Sequence, residues 1–185
     1  MVSKLSPTLK TTSTLKIISL AAGCFWGVER VFQKYFKGKG LVDIKVGYAN
    51  GLLNFENVSY EQVCTGRTNF VEAVQISYEP EKVSLGEILD IFFRIHDPTQ
   101  SNRQGPDVGT QYRSVVLTNS NEEVEIVENA RNKAQAEWYP KDKIATVIEP
   151  IEIWWDAEDY HQDYLNKNPG GYECPTHFLR TSPKI

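Results

Sequence analysis

The chain has 185 residues, 41% of them hydrophobic, which suits one domain that buries roughly 70% of its unfolded surface without staples. Its 20 Lys and Arg stand against 24 Asp and Glu, a net charge of -4 with no block of like charge, which argues against a nucleic-acid partner or an anionic membrane surface. Three cysteines, Cys24, Cys64 and Cys174, are too few and too widely spaced for a secreted disulfide framework and match no CxxC metal pattern. Thiol chemistry in a reducing compartment fits them better, with neither a metal nor a cofactor expected.

No run reaches the length of a transmembrane helix, and the N-terminus lacks the apolar core of a signal peptide. Residues 1–14 carry Ser, Thr and Lys and no acid, as a transit peptide does, but they contain no Arg and no amphipathic stripe. They are read as a disordered tail before a single domain over residues 15–185, with the cytoplasm as default and a mitochondrial address as the alternative.

Leu15 to Ala21 reads as a buried strand, followed by Val28, Val31, Phe32, Tyr35 and Phe36 at helical spacing, with Gly38 and Gly40 ending the helix. Leu41 to Ala49 alternates as a second strand with Val42, Ile44 and Val46 on one face. Asn50-Gly51 signals a turn into a polar loop, and Tyr60 to Cys64 reads as a short strand. Phe70 to Tyr78 alternates again. Ser84-x-x-Glu87 is a capping box that opens a helix bearing Leu85, Ile88, Leu89, Phe92 and Phe93. Residues 98–111 form a polar loop of binding-loop length. A strand over Tyr112–Leu117 precedes a helix capped at Ser120 and running to about Trp138. The last strand is Ile144–Ile153, a short helix spans about Asp156 to Leu165, and residues 166–185 read as an irregular tail. This order predicts an α/β two-layer sandwich, with a split βαβ (ferredoxin-like) core covered by helices.

Cys24 falls at the strand-to-helix turn in Gly23-Cys24-Phe25-Trp26-Gly27. The N–H groups of a first helical turn are unpaired and carry partial positive charge, so a thiolate there is stabilised and its pKa is expected to fall. Phe25 and Trp26 would set apolar surface beside the sulfur. A buried core cysteine is the bland alternative. Glu72 has the parity of Val74, Ile76 and Tyr78, on an apolar strand face, where desolvation would raise its pKa and make it a proton donor; a register slip would instead leave it in solvent. Tyr60 and Tyr112 begin strand-like segments and could hydrogen-bond a polar substrate oxygen or simply pack. His161 is more readily a helix-packing residue than a metal ligand, since nothing has ligand spacing with it. Cys174, in the Gly-rich tail, could reach an oxidised first thiol as a resolving cysteine, whereas Cys64 reads as a buried spectator.

These residues carry a resemblance. Gly23–Gly27 (GCFWG) resembles the signature of the A-type peptide methionine sulfoxide reductases, and VGYANG at 46–51, the Tyr60–Glu72 segment, HDPTQSNRQGPDVGTQYRS at 96–114 and DYHQDYLNKNPGGY at 159–172 agree in order. The resemblance implies reduction of the S epimer of methionine sulfoxide, free or in proteins. Cys24 would attack the sulfoxide sulfur while Glu72, Tyr60 and Tyr112 bind and protonate its oxygen. Phe25 and Trp26 would cradle the methyl group, and Asp107 and His161 would support the site. It implies a Cys24 sulfenic acid, resolution by Cys174 and reduction of the resulting disulfide by thioredoxin, with a monomer expected. Two positions depart from the family. Many members have Gly-His before Ala-Glu where this chain reads Asn69-Phe70-Val71-Glu72, and many carry two tail cysteines where this one has Cys174 alone, with Cys64 the other possible resolver. Outside the family, a generic thiol-disulfide oxidoreductase would want a CxxC and has no use for Glu72, and a binding module for oxidised methionine would not need Cys174.

Overall fold

The apolar run after residue 15 forms strand β1 (Lys16–Ala22), and the helical spacing after it forms α1 (Phe25–Phe36), which buries Val28, Val31, Phe32 and Phe36. These elements come from a computed structural model that describes residues 2–184. The chain continues through β2 (Leu41–Ala49), α2 (Tyr60–Cys64), β3 (Val71–Tyr78), α3 (Leu85–Ile95), β4 (Arg103–Gln104), β5 (Asp107–Val108), β6 (Ser114–Thr118), α4 (Asn121–Glu137), β7 (Val147–Pro150), β8 (Trp154–Asp156) and α5 (Tyr164–Lys167), with single 3-10 turns at Thr110–Tyr112 and Asp159–His161.

Six strands make one sheet in the order β7-β6-β1-β3-β2-β8, and β4 and β5 form a separate two-residue ribbon. β3 pairs antiparallel with both β1 and β2, so the strands joined by α1 run parallel with β3 inserted between them. β6 lies antiparallel on the other side of β1, and only β7 joins in parallel register, to β6. The mixed α/β architecture expected from the element order is the one observed. Residues from α1, α3 and α4 share a core with Ile18, Leu20, Val46, Val74, Ile76 and Val116, which places the helices over one face of the sheet. Ala21, Ala49, Val71, Ala73, Val115 and Leu117 form a smaller cluster with Ile151 and Trp154 on the opposite face. β3 is therefore buried along its whole length.

The described part of the N-terminal segment, expected as a disordered tail, lies along that opposite face. Gln75 on β3 accepts the Ser6 N–H at 2.8 Å and donates to the Lys4 carbonyl at 3.0 Å, Ser77 donates to the Lys10 carbonyl, and Asp43 accepts the Lys10 N–H at 2.8 Å. Ser6 and Leu9 of this segment are buried.

Other boundaries also differ from the sequence expectation. Tyr60–Cys64 is a helix rather than a strand, because Ser59 and Gln62 form a reciprocal capping box that satisfies two otherwise unpaired N–H groups. Cys64, at its end, is exposed rather than buried. Val42 does not share the buried face of Ile44 and Val46: the β2–β3 register shifts between Leu41 and Asp43, leaving Val42 40% exposed. Of the expected strand 144–153 only Val147–Pro150 is paired, as β7, and β8 begins just beyond it at Trp154, on the opposite edge of the sheet. Tyr112 ends a 3-10 turn and only Ser114 begins the strand. The expected helix over 156–165 is a 3-10 turn and one turn of α5, divided by Asp163 in left-handed backbone at φ 56°. Among the described residues no helix is long and apolar enough to cross a membrane.

Candidate active site

β1 ends at the site and α1 leaves from it. Gly23 makes the corner at φ +92°, a conformation open to glycine, and Cys24 is the residue that caps α1. The Cys24 side chain is buried, with the backbone N–H groups of Trp26 and Gly27 directed at its sulfur. Those donors pull the thiol pKa down as the helix position predicts. Burial is the larger influence, followed by the negative charge of Glu72, and the two hold the resting thiol well above its ordinary value, so the expected fall does not occur.

Glu72 stands on β3 opposite Tyr48 of β2, on the helix-covered face its parity indicated. It is 1% exposed, and its Oε2 accepts the N–H of Phe25 at 3.1 Å. Burial raises its pKa to about 8, against the opposing pull of the Phe25 N–H, with the nearby charge of Asp107 adding to the rise. A nucleophile candidate and a carboxylic acid that keeps its proton at neutral pH therefore share one helix N-terminus.

The remaining residues close around this pair. Trp26 stacks on Tyr164 with ring centroids 3.7 Å apart, and its Nε1–H donates to His161 Nδ1 at 3.0 Å. That bond leaves the His161 proton on Nε2, 3.6 Å from Glu158, and burial holds the ring below its usual pKa. His161 also packs against Phe25 and Tyr60, at 5.2 and 4.6 Å between centroids. Burial first, then a side-chain hydrogen bond with Cys64 at Tyr60 and the charge of Glu72 at Tyr112, drives both phenols above their ordinary pKa, so both remain hydrogen-bond donors. Asp107 accepts the Tyr172 hydroxyl on both carboxylate oxygens at 3.1 Å. Cys174 is buried, with its sulfur 3.2 Å from Thr176 Oγ1 and 3.7 Å from the Gln104 carbonyl, and the Tyr172 hydroxyl lies within electrostatic reach of both Cys24 and Cys174. All three cysteines are unpaired thiols.

Every residue singled out in the sequence lies in or beside this cluster. Glu158 was missed: it accepts the Tyr48 hydroxyl at 2.9 Å and the Tyr60 N–H at 2.8 Å, so one carboxylate ties β2, α2 and the His161 turn together. Tyr48 was within the quoted VGYANG stretch but read only as a strand residue. His177 was missed as well, and nothing in a Pro-Thr-His-Phe stretch marks it. No group of three or more His, Cys, Asp and Glu among the described residues is arranged to hold a metal ion. A groove between α3 and α4, lined by Ile91, Ile126, Ala130 and Trp138, holds none of these residues.

A sequence profile described as peptide methionine sulfoxide reductase matches residues 16–184. A peptide methionine sulfoxide reductase of Saccharomyces cerevisiae is 54% identical over 171 residues, covering 89% of this chain and 90% of the relative. The fold matches the crystal structure of Mxr1 from S. cerevisiae in reduced form with a TM-score of 0.92 at 49% identity, covering 96% and 99% of the two chains. The structure of Mxr1 in complex with Trx2 matches with a TM-score of 0.68 at 35% identity over the same shares.

Proposed function

The chain belongs to the peptide methionine sulfoxide reductase family and reduces methionine sulfoxide, and from that premise we propose that Cys24 is the nucleophile and Glu72 the acid that releases the sulfoxide oxygen. The bond from the Phe25 N–H to the Glu72 carboxyl carries this reading, because it places acid and nucleophile at the same helix end. The carboxyl has to be neutral for a thiolate to form beside it, and burial keeps it so at neutral pH.

The Cys24 sulfur attacks the sulfoxide sulfur while Glu72 protonates the oxygen. The S–O bond breaks as the hydroxyl passes to Cys24, the sulfur–sulfur bond opens, methionine leaves with Cys24 as the sulfenic acid, and the proton shed by the Cys24 thiol restores Glu72. Tyr60 and Tyr112 donate to the sulfoxide oxygen as it gains charge. Trp26 and Phe25 present the apolar wall for the substrate methyl, and the Trp26–His161 bond fixes the indole plane. The charge of Asp107 helps Glu72 hold its proton. The epimer taken is the S form. Cys174 then attacks the Cys24 sulfenic acid: the S–S bond forms, the Cys174 thiol proton joins the departing hydroxyl, and water leaves. Thioredoxin reduces the disulfide, a reading supported by the yeast relative solved with Trx2. The chain acts as one catalytic domain that includes the N-terminal segment packed on β3, a monomer in the cytoplasm.

The test is a single turnover of the prereduced protein with each separated epimer of an N-blocked methionine sulfoxide. Methionine from the S epimer only, with two thiols lost per methionine and no product from Cys24→Ser, is the expected result. No methionine from either epimer would overturn it.

A further inference from the structure

His177 lies outside every role assigned above, yet the residue is only 6% exposed and its ring rests on the loop that carries Cys24. Its Nε2–H donates to the Ala22 carbonyl at 2.7 Å, two residues before the nucleophile. Its Nδ1 is buried with no hydrogen-bond partner and faces Gly27. A Cβ at position 27 would come within 2.2 Å of that nitrogen, and one at position 23 would lie 2.7 Å from Gln104 Cβ and 3.4 Å from His177 Nε2. The two glycines that flank Cys24-Phe25-Trp26 thus form a slot filled by an imidazole and a glutamine stem, not by substrate.

The imidazole and Cys174 belong to one turn. The His177 N–H donates to the Cys174 carbonyl at 3.0 Å. Thr176 leaves no room for a side chain at Gly105, where a Cβ would lie 2.7 Å from its methyl carbon. Gln104, whose stem lies on Gly23, offers its carbonyl to the Cys174 thiol and pins its own amide to the backbone N–H and C=O of Asp97 at 2.9 Å each. One end of the 174–177 turn is therefore held through Gln104 and the other through the imidazole, and both holds converge on the Ala22–Gly23 corner.

We propose that His177 is the positioning residue of the resolving step, seating the Cys174 turn in the Gly23–Gly27 slot so that the second thiol is held at a fixed place relative to Cys24. This rests on the two-cysteine cycle proposed above. An oriented thiol reacts as if at very high local concentration, and releasing the turn gives up that advantage without touching Glu72 or the aromatic wall. His177 acts on the second half of the cycle only.

The experiment compares the parent chain with His177→Leu, which fills the slot without a donor, and His177→Gln, which keeps a donor for the Ala22 carbonyl. Each prereduced protein receives one equivalent of the S sulfoxide, and methionine, free thiols and dimedone-reactive sulfenic acid are followed in time. His177→Leu is expected to form methionine within about twofold of the parental rate but to lose one thiol before the second, with sulfenic acid accumulating and disulfide closure slowed by roughly tenfold or more. Its thioredoxin-dependent kcat falls with KM for sulfoxide unchanged, and His177→Gln recovers part of the closure rate. A purely structural role would lower the melting temperature without splitting the two thiol losses. Disulfide closure at the parental rate in His177→Leu, or in His177→Ala should the leucine variant not fold, overturns the proposal, since neither side chain can donate to the Ala22 carbonyl. Absence of methionine in the parent chain would instead remove the cycle on which it rests.

Discussion

The N–H of Phe25 reaches the carboxylate of Glu72 at 3.1 Å, so the helix that begins on Cys24 also begins on the acid. The two groups cannot both be charged at low cost. Glu72→Gln keeps an acceptor for the Phe25 N–H but has no proton to give. Reduction of the S sulfoxide is expected to fall by about 10²–10⁴-fold, with Cys24 still titratable by a thiol reagent. In the parent, activity should decline above about pH 8, where the carboxyl loses its proton, and the glutamine variant should lack that limb. Rates across pH 6–9.5 check this, and an unchanged rate in Glu72→Gln would remove the acid role.

Buried carboxyls also shape stability. Glu72 is raised to about 8 and Glu29 on α1, which accepts the Asp163 N–H, to about 7, both from 4.5 and both chiefly by burial. Between pH 4.5 and 8 the folded chain keeps protons that the unfolded chain has released, so stability is greatest at the acid end of this window and falls as pH rises through it. The fall attributable to the pair is on the order of a few kcal/mol. Urea midpoints at pH 5, 6.5 and 8 are expected to decrease in that order, and Glu72→Gln should flatten the upper part of the trend.

Ser59 gives α2 its start, and Tyr60 is the first residue of that helix. Ser59→Ala removes the acceptor for the Gln62 N–H and should cost about 1 kcal/mol of stability. The Tyr60 N–H stays on Glu158, so the helix end loosens rather than leaves. A rise of a few-fold in KM for sulfoxide, with kcat less affected, is the expected kinetic sign. A stability loss with KM unchanged would show that Tyr60 does not depend on its cap.

Cys174→Ser and Cys64→Ser separate the two remaining thiols. Cys174→Ser should yield one methionine per chain and then stall with thioredoxin as reductant, while Cys64→Ser, altered on the exposed end of α2, should turn over at the parental rate. Steady-state assays with thioredoxin and its reductase decide it. Full turnover by Cys174→Ser would transfer the resolving role to Cys64.

What was legible in the sequence was local. The turn into α1, the capping box at Ser84, the serine cap at Ser120 and the parity of Glu72 each depend on residues within a few positions, and each stands as read. The Cys24 pKa depends on what covers the sulfur, and no local pattern says that Glu72 and the aromatic wall will enclose it and outweigh the helix end. Tyr60–Cys64 is too short for its periodicity to show, although its capping box was present to be read. The N-terminal segment looked like a tail because its partners lie far along the chain: Ser6 meets Gln75 across 69 positions. His177 and Glu158 acquire meaning only once three separate segments converge.

The burial of β3 on both faces bears on how the molecule comes apart. Amide hydrogens in Val71–Tyr78, paired to neighbours on either side and roofed above and below, are expected to exchange with solvent only on global unfolding. The 174–177 turn, held by a few side-chain contacts, should exchange through small openings. Under heat or oxidant the recycling half of the enzyme is thus set to fail first. A partly damaged molecule would retain its nucleophile and acid and complete one repair even after it could no longer be regenerated.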